Sequence, residues 1–288
     1  YCTLVEQKNF SRTADLHGIS QSAVSQQLAQ LESMHDNQLI NRKKRPLELT
    51  KAGQLFYHAC KEILERYDRL HRELSDLSKT KGRINLASIF SIGMHTLQPY
   101  IKRFMKVYPD VNLSVEYLDA KDIYTRLLKG SLDIGVVALP KRDRNLRVYS
   151  FEDEPLVLVC SPGHSFATLE QIDIHRLQAE KFIAFSQDVP TRHYIDGILK
   201  RYNVSVQTMM EFDNIETIKR AIEIKSGVGI LPLSCVKTEV ANGTLTIIEF
   251  SNEHFFRPTG IVIQKGHQLN KAANYLLELM QKESNAEL

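Results

Sequence analysis

Two sets of residues in this chain have the types and spacing to recognise other molecules. The first is a polar helical face near the N-terminus. From Ser20 to Gln30 there is no Asp or Glu, and Gln21, Ser22, Ser25, Gln26 and Ala29 lie away from Val24, Leu28 and Leu31. Gln and Ser can hydrogen-bond base edges, and a helix N-terminus can face a phosphate, whereas carboxylates there would repel DNA. Arg42-Lys43-Lys44-Arg45 then joins two strand-like segments, Leu39–Arg42 and Leu47–Leu49. A hairpin with that tip suits a phosphate backbone or a minor groove.

The second set lies in loops that follow strand-like segments and lead into helices. They are Ser88-Ile89-Phe90-Ser91, Asp119-Ala120-Lys121, Ser186–Arg192 and the glycine-rich turn Gly227–Ile230. Ligands of open α/β folds gather at such strand ends. Hydroxyls, amides and an Arg fork suit a carboxylate or an inorganic oxyanion. For each Ser or Thr, capping of the next helix is the competing explanation.

Covalent and metal chemistry find less support. The ten histidines are scattered without metal-ligand spacing. Ser161-Pro162-Gly163-His164-Ser165 is a turn, not a nucleophile elbow. Cys2, Cys60, Cys160 and Cys235 form no C-x-x-C pair, so we expect no disulfide framework, no metal and no cofactor, and a reducing cytoplasm.

These residues need elements to hold them. Ser11–Leu16 reads as a short helix with Ser11 as its N-cap, broken at His17-Gly18-Ile19, and Ser20 caps the next helix. Ala14 is small where two helices would cross, Gly18 suits a left-handed turn, and Val24 fills the angle between them. A surface helix of another small bundle would share part of this pattern. Thr50 to about Leu77 reads as one long helix. Phe56, Ala59, Ile63, Tyr67, Leu70, Leu74 and Leu77 fall at steps near 3.5 residues, with charges on the other faces. Such a narrow stripe favours a seam with a second chain over packing on its own domain. Beyond the polar stretch Ser78–Gly82, strand and helix patterns alternate, which points to parallel sheets with helices on both faces, in two lobes.

Charge and composition agree. Of 288 residues, 43% are hydrophobic and 25% charged, as in ordinary globular proteins. Residues 1–81 carry 13 Lys+Arg against 10 Asp+Glu, while residues 82–288 carry 24 of each, so the whole net charge of +3 sits in the first part. No apolar run is long enough to span a membrane, and no signal-peptide pattern is present. The chain starts at Tyr1, where Leu4 and Val5 already look like the face of a helix in progress, so residues upstream are expected.

Asn9–Ala14, Ile19–Leu28, Leu31-Glu32 and Leu47–Gly53, in that order, resemble the N-terminal signature of LysR-type transcriptional regulators. Lys8, Gln26 and Ile40 stand where the family often has other residues. The resemblance implies an α/β protein overall: a winged helix-turn-helix at 1–53, a dimerising linker helix and hinge at 54–81, and a periplasmic-binding-protein-like effector domain at 82–288. Its lobes would be 82–158 with 259–288, and 159–258. It places Ser11, Arg12, Gln21, Ser22, Ser25 and Gln26 against DNA, and Arg42, Lys43, Lys44 and Arg45 in the wing. It makes Phe56, Ile63, Tyr67, Leu70, Leu74 and Leu77 the dimer seam. It sets Ser88, Ser91, Ala120, Ser186, Thr191, Arg192 and Gly229 along an interlobe cleft for a small-molecule effector, and the chemistry of those residues suits an anionic one.

The expected partners are double-stranded DNA with a two-fold symmetric site, a small-molecule effector, a second copy or a tetramer, and the transcription machinery, with no membrane. No catalytic residues are assigned. A solute-binding protein or an enzyme on the same two-lobed fold are the alternatives. The attached wing counts against the first, and the lack of a convergent acid, base or nucleophile set against the second.

Overall fold

The computed structural model describes residues 1–41, 47–78 and 82–284, with side chains described except at 65, 68–78 and 282–284. The chain forms two compact units, Tyr1–Leu77 and Ser78–Leu288.

In the first unit, α1 (Cys2–Gln7), α2 (Phe10–His17) and α3 (Gln21–Met34) are followed by β1 (Ile40–Asn41), β2 (Glu48–Leu49) and α4 (Lys51–Ser78). Helix α2 is capped by Asn9, whose side chain accepts from the Arg12 amide at 3.0 Å, so Ser11 is not the cap. The Asx side chain two positions earlier wins because it stands at the extended residue that precedes the helix. Ser20 does cap α3, accepting from the Ala23 amide at 3.1 Å. Gly18 has φ +63°, the left-handed conformation that ends α2 and turns the chain into α3. Leu4, Ala14, Val24, Leu28 and Ile40 form the small core, with Tyr1, Phe10, Leu47 and Leu49 packed on it. Strands β1 and β2 pair antiparallel, Ile40 with Leu49 and Asn41 with Glu48. Glu32 holds the entry to this hairpin, accepting from the amides of Leu39 and Ile40 at 2.9 and 3.2 Å. The tetrad Arg42–Arg45 lies outside the described residues.

The long helix α4 runs as expected, but its seam needs one correction. Phe56 packs within its own unit, edge-on to Tyr1 at 5.3 Å and against His35 at 4.9 Å between ring centroids. Ile63 and Tyr67 are 67% and 56% exposed, as are the neighbouring apolar residues Leu55 and Leu64. The side chains of Leu70, Leu74 and Leu77 are among those not described. Opposite the stripe, Glu6 ties α1 to α4 by accepting from Tyr57 and Lys61, both at 3.1 Å.

The second unit is built on β3 (Arg83–Ser88), α5 (Gln98–Val107), β4 (Asn112–Tyr117), α6 (Ala120–Leu128), β5 (Ile134–Ala138), β6 (Leu146–Cys160), β7 (Gln171–Ile172), β8 (Lys181–Phe185), α7 (Pro190–Arg201), β9 (Gln207–Phe212), α8 (Ile215–Glu223), β10 (Gly229–Pro232), α9 (Lys237–Ala241), β11 (Thr246–Phe250), β12 (Phe255–Gln264) and α10 (Lys271–Ser284). The main sheet runs β4-β3-β5-β12-β6-β11-β7, with β10 also on β6, while β8 and β9 form a separate pair. Pairing is parallel among β4, β3 and β5 and between β8 and β9, but β6 and β12 run antiparallel to their neighbours. The sheet is therefore mixed, not parallel throughout.

Strands β6 and β12 are the frame. They pair from Leu146–Gln264 at one end to Leu156–Phe255 at the other, and each crosses from one core to the next. One core gathers Leu156–Phe255 residues from β6, β8, β10, β11, α7 and α8. The other is built of Ile84, Phe104, Val136, Phe151, Ile261, Leu276 and their neighbours, with a satellite around Ile123, Leu127 and Val262.

Gly53 shows how tightly the first unit closes. A Cβ built there would stand 1.9 Å from the Leu39 carbonyl oxygen, which belongs to the backbone. Gly53→Ala is expected to destabilise this unit by about 1–3 kcal/mol, read as a lower urea midpoint and a matching loss of DNA affinity.

Candidate functional site

On the first unit most of the described candidate contacts are open to solvent. Ser11, Arg12, Gln21, Ser22 and Gln26 are exposed and Ser25 is half-buried, while Val24 and Leu28 point into the core. The Ser20 and Ser22 hydroxyls bond each other at 2.8 Å beside the N-terminus of α3. Hydrophobic burial of one stripe thus leaves a polar stripe free of carboxylates over Gln21–Gln30.

The second unit contains a cleft of about 1080 Å³. It is lined by Ser91, Tyr117 and Ala120 from the segments after β3 and β4, by Phe185, Val189, Thr191 and Asn214 from those around β8, α7 and α8, and by Phe90, which packs on the core of Phe185. Helices α6 and α7 begin here, and neither has a side-chain cap at its N-terminus. Exposed charges around the cleft are mixed, with Asp119, Asp122, Asp143, Asp188 and Asp213 set against Lys121, Lys141 and Arg142.

The cleft also reaches a buried ion pair. Arg257 on β12 is 1% exposed and Glu154 on β6 is 2% exposed. Arg257 Nε donates to Glu154 Oε2 at 2.9 Å, and its Nη2 makes a second, shorter bond to the same oxygen. The guanidinium also donates to Thr191 Oγ1 and to Ser91 Oγ, both at 3.2 Å. Glu154 Oε1 accepts from Thr96 Oγ1 at 2.6 Å and from Ser234 Oγ at 3.0 Å. Such hydrogen bonds are what make a buried pair tolerable, since desolvation alone would cost several kcal/mol per ion.

Of the cleft residues expected from sequence, Ser91, Ala120 and Thr191 line it. Four others do not. Arg192 turns away, donating to the Phe185 carbonyl at 2.7 Å, to Asp196 at 2.8 Å and to Glu211 at 2.6 Å. Two carboxylates already neutralise it, and its side chain is 12% exposed. Ser88 is fully buried and donates to the Ile89 carbonyl at 3.0 Å. Ser186 bonds through its amide to the Phe212 carbonyl at 2.8 Å. Gly229 is not in a loop but in β10, paired with Val159, where a Cβ would stand 3.0 Å from Ile222. It serves close packing. Arg257 and Glu154 were missed because charged residues next to Pro258 and Pro155 disguise two buried strands as turns. No local sequence signal marks them, because the pairing that joins them is between strands 103 residues apart.

A second buried charge supports α8, whose N-terminus reaches the cleft. Lys219, 1% exposed, bonds Glu239 at 2.8 Å, Glu216 at 2.9 Å and the Cys235 carbonyl at 2.9 Å. Burial opposes its charge, but the two carboxylates prevail and hold the Lys219 ammonium above its ordinary range. His95 reaches the same Glu216 from the other side of the cleft at 3.2 Å. Burial pushes the thiols of Cys160 to about 11 and Cys235 to about 12, which keeps them protonated and weakly nucleophilic.

Residues 78–285 match the LysR substrate binding domain, and residues 1–54 match the bacterial regulatory helix-turn-helix protein family, lysR type. The chain belongs to the LysR family. This LysR-type chain is a DNA-binding transcriptional regulator with an effector-binding domain. It is similar to the HTH-type transcriptional regulator CysL of Bacillus subtilis, 24% identical over 88% of this chain and 85% of that one. It is also similar to the HTH-type transcriptional activator CmpR of Synechocystis sp., 26% identical over 97% of this chain and 92% of that one. Among solved structures, the Synechocystis CcmR regulatory domain in complex with 2-PG is 25% identical, with a TM-score of 0.65 over 71% of this chain and 98% of that one. CbnR, a LysR family transcriptional regulator, shares the fold at a TM-score of 0.77 and 16% identity, over 99% of this chain and 96% of that one. Members of the family bind DNA and small-molecule effectors and form oligomers. No described helix of this regulator is long and apolar enough to cross a membrane.

Breaking the Lys219 cluster tests how firmly α8 is held. Lys219→Met should lower the stability of the second unit by about 3–5 kcal/mol, because it strands the buried Glu239 carboxylate, and calorimetry of the full chain would measure it. The raised pKa carries a sign. The contribution of Lys219 is fully present below its ordinary value of 10.5 and is lost as pH rises through the higher folded value.

Proposed function

We propose that this regulator binds a two-fold symmetric DNA site as a homodimer or homotetramer, and that a small anionic effector in the cleft adjusts its action on transcription. The proposed division is a winged helix-turn-helix at 1–53, a linker helix and hinge at 54–81, and an effector domain at 82–288 with lobes 82–158 plus 259–288 and 159–258. The observation that carries the reading is the pairing, in one chain, of an α3 face free of carboxylates over Gln21–Gln30 with a cleft into which two uncapped helix N-termini open.

Gln21, Ser22 and Gln26 read bases from α3, with Ser25 at the edge of that face. Ser11 and Arg12 approach the backbone, and Arg42, Lys43, Lys44 and Arg45 meet phosphates. The exposed apolar stripe with Ile63 and Tyr67 continues to Leu70, Leu74 and Leu77 as the seam of a coiled coil, which places two recognition helices on one duplex. Ser91, Thr191 and the amide end at Ala120 receive the effector anion. CcmR in complex with 2-PG and the effector binding domain of QuiR in complex with shikimate support an acidic small molecule. Effector binding changes the angle between lobes, and the spacing of the paired DNA-binding units follows. The reading needs no covalent step and no cofactor, and it places the protein in the cytoplasm with the DNA and the transcription machinery.

Selection of bound duplexes from a random pool, repeated with small oxyanions and carboxylates, tests this. The expected product is an inverted repeat whose occupancy shifts with one class of anion. Protein that retains no preferred sequence at physiological salt would overturn the reading. Within the selected site, Gln26→Glu should weaken binding by at least about tenfold by setting a carboxylate against DNA. Lys43→Ala should weaken all sequences alike and reduce the salt slope by about 1, measured by fluorescence anisotropy.

A further inference from the structure

The floor of the cleft has a feature that the loop sequences do not show. Ser91 and Thr191 are 7% and 2% exposed, and each hydroxyl oxygen accepts a hydrogen bond from Arg257. A hydroxyl that accepts from a guanidinium keeps its own proton to donate, because an Arg side chain has donors only. Among the described residues neither proton has an acceptor, and both residues line the cleft. Both protons are therefore available to an acceptor in the cleft, a water or a ligand oxygen.

Resting on the anion-effector reading above, we infer that Arg257 is a positioning residue that fixes Ser91 and Thr191 as paired donors toward the cleft, so that its floor receives an acceptor-only oxygen group. The guanidinium supplies polarisation and direction, while Glu154 cancels its net charge and aligns it from behind. Specificity then comes from proton inventory more than from charge. A carboxylate, a sulfate or a fully ionised phosphate ester presents lone pairs alone. A group that brings its own hydrogen to the floor meets a donor. The two hydroxyls also stand on opposite walls of the cleft, Ser91 beside Ile92 of the core around Phe104, and Thr191 on α7, which packs on the core of β6, β8 and β10. One guanidinium therefore sets both donors in register, and one oxyanion can bridge them only when the walls are at the right separation.

The test is a double-mutant cycle on the full-length chain, with inorganic sulfate and 2-PG as probes in titration calorimetry. Ser91→Ala in the wild-type background should weaken binding about tenfold, the worth of one hydrogen bond to a charged group. Arg257→Met combined with Glu154→Leu removes the pair together and leaves no stranded charge, which favours retention of the fold. In that background the probes should again bind about tenfold more weakly, and Ser91→Ala should then cost little more, because the hydroxyl is no longer directed. Arg257→Lys, which keeps a donor, should recover most of the affinity. Additive losses, or a pair variant that binds as tightly as wild type, overturn the inference while leaving the anion reading in place. If neither probe binds the wild type, the anion reading itself fails, and this inference with it.

Discussion

The contact between Arg257 and Glu154 joins most of what matters in the second unit. It connects the two longest strands, β6 and β12, at the point where both pass from one hydrophobic core to the other. Through Ser91 and Thr96 it holds the segment that follows β3, and through Thr191 and Ser234 it holds α7 and the turn after β10. Both charged side chains are buried, so each hydrogen bond is strong and each missing partner is expensive. The guanidinium thus ties residues of both walls of the cleft to the same two strands.

The DNA-binding unit obeys a steric constraint of a different kind. Its core is small, so backbone closeness has to be exact in a few places. Gly18 supplies a left-handed turn between α2 and α3, and Gly53 lets α4 start against the Leu39 carbonyl. Thr50 completes that junction, donating to the Gln38 carbonyl and accepting from the Gly53 amide. These contacts orient α3 relative to the β1–β2 hairpin, and they leave its polar stripe free. Recognition is thus a by-product of what the core does not use.

Much of this was legible in the chain itself, and the reasons differ from element to element. Val24 and Leu28 at helical spacing revealed which face of α3 is buried, and hence which face is exposed. The helix start at Ser20 could be read because a cap is a local hydrogen bond. Ser11 misled because Asn9, two residues earlier, makes the same bond from a better position. Phe56 fits the heptad of α4, yet it turns to Tyr1 and His35, since a half-turn of helix can serve its own unit before the stripe is free for a partner. Arg192 shows the same limit: it sits at the start of a helix, as an anion ligand should, but it turns from the cleft to Asp196 and Glu211.

Local interactions explain what could be known early. Periodicity, caps and turn residues act within a few positions, so they identify helices and which face of each is buried before any fold is seen, whereas the expected hinge at 79–81 lies outside the described residues. The family signature in the first 53 residues is dense for that reason, being a set of short-range requirements. Long-range pairing decided the remainder. Glu154 and Arg257 are 103 residues apart in the chain, and Arg257 and Ser91 are 166 apart. No local pattern marks a charged residue as buried when its partner lies on a distant strand. Only the pairing of β6 with β12 brings the opposite charges together, shields them from water, and aims two hydroxyls into the space between the lobes.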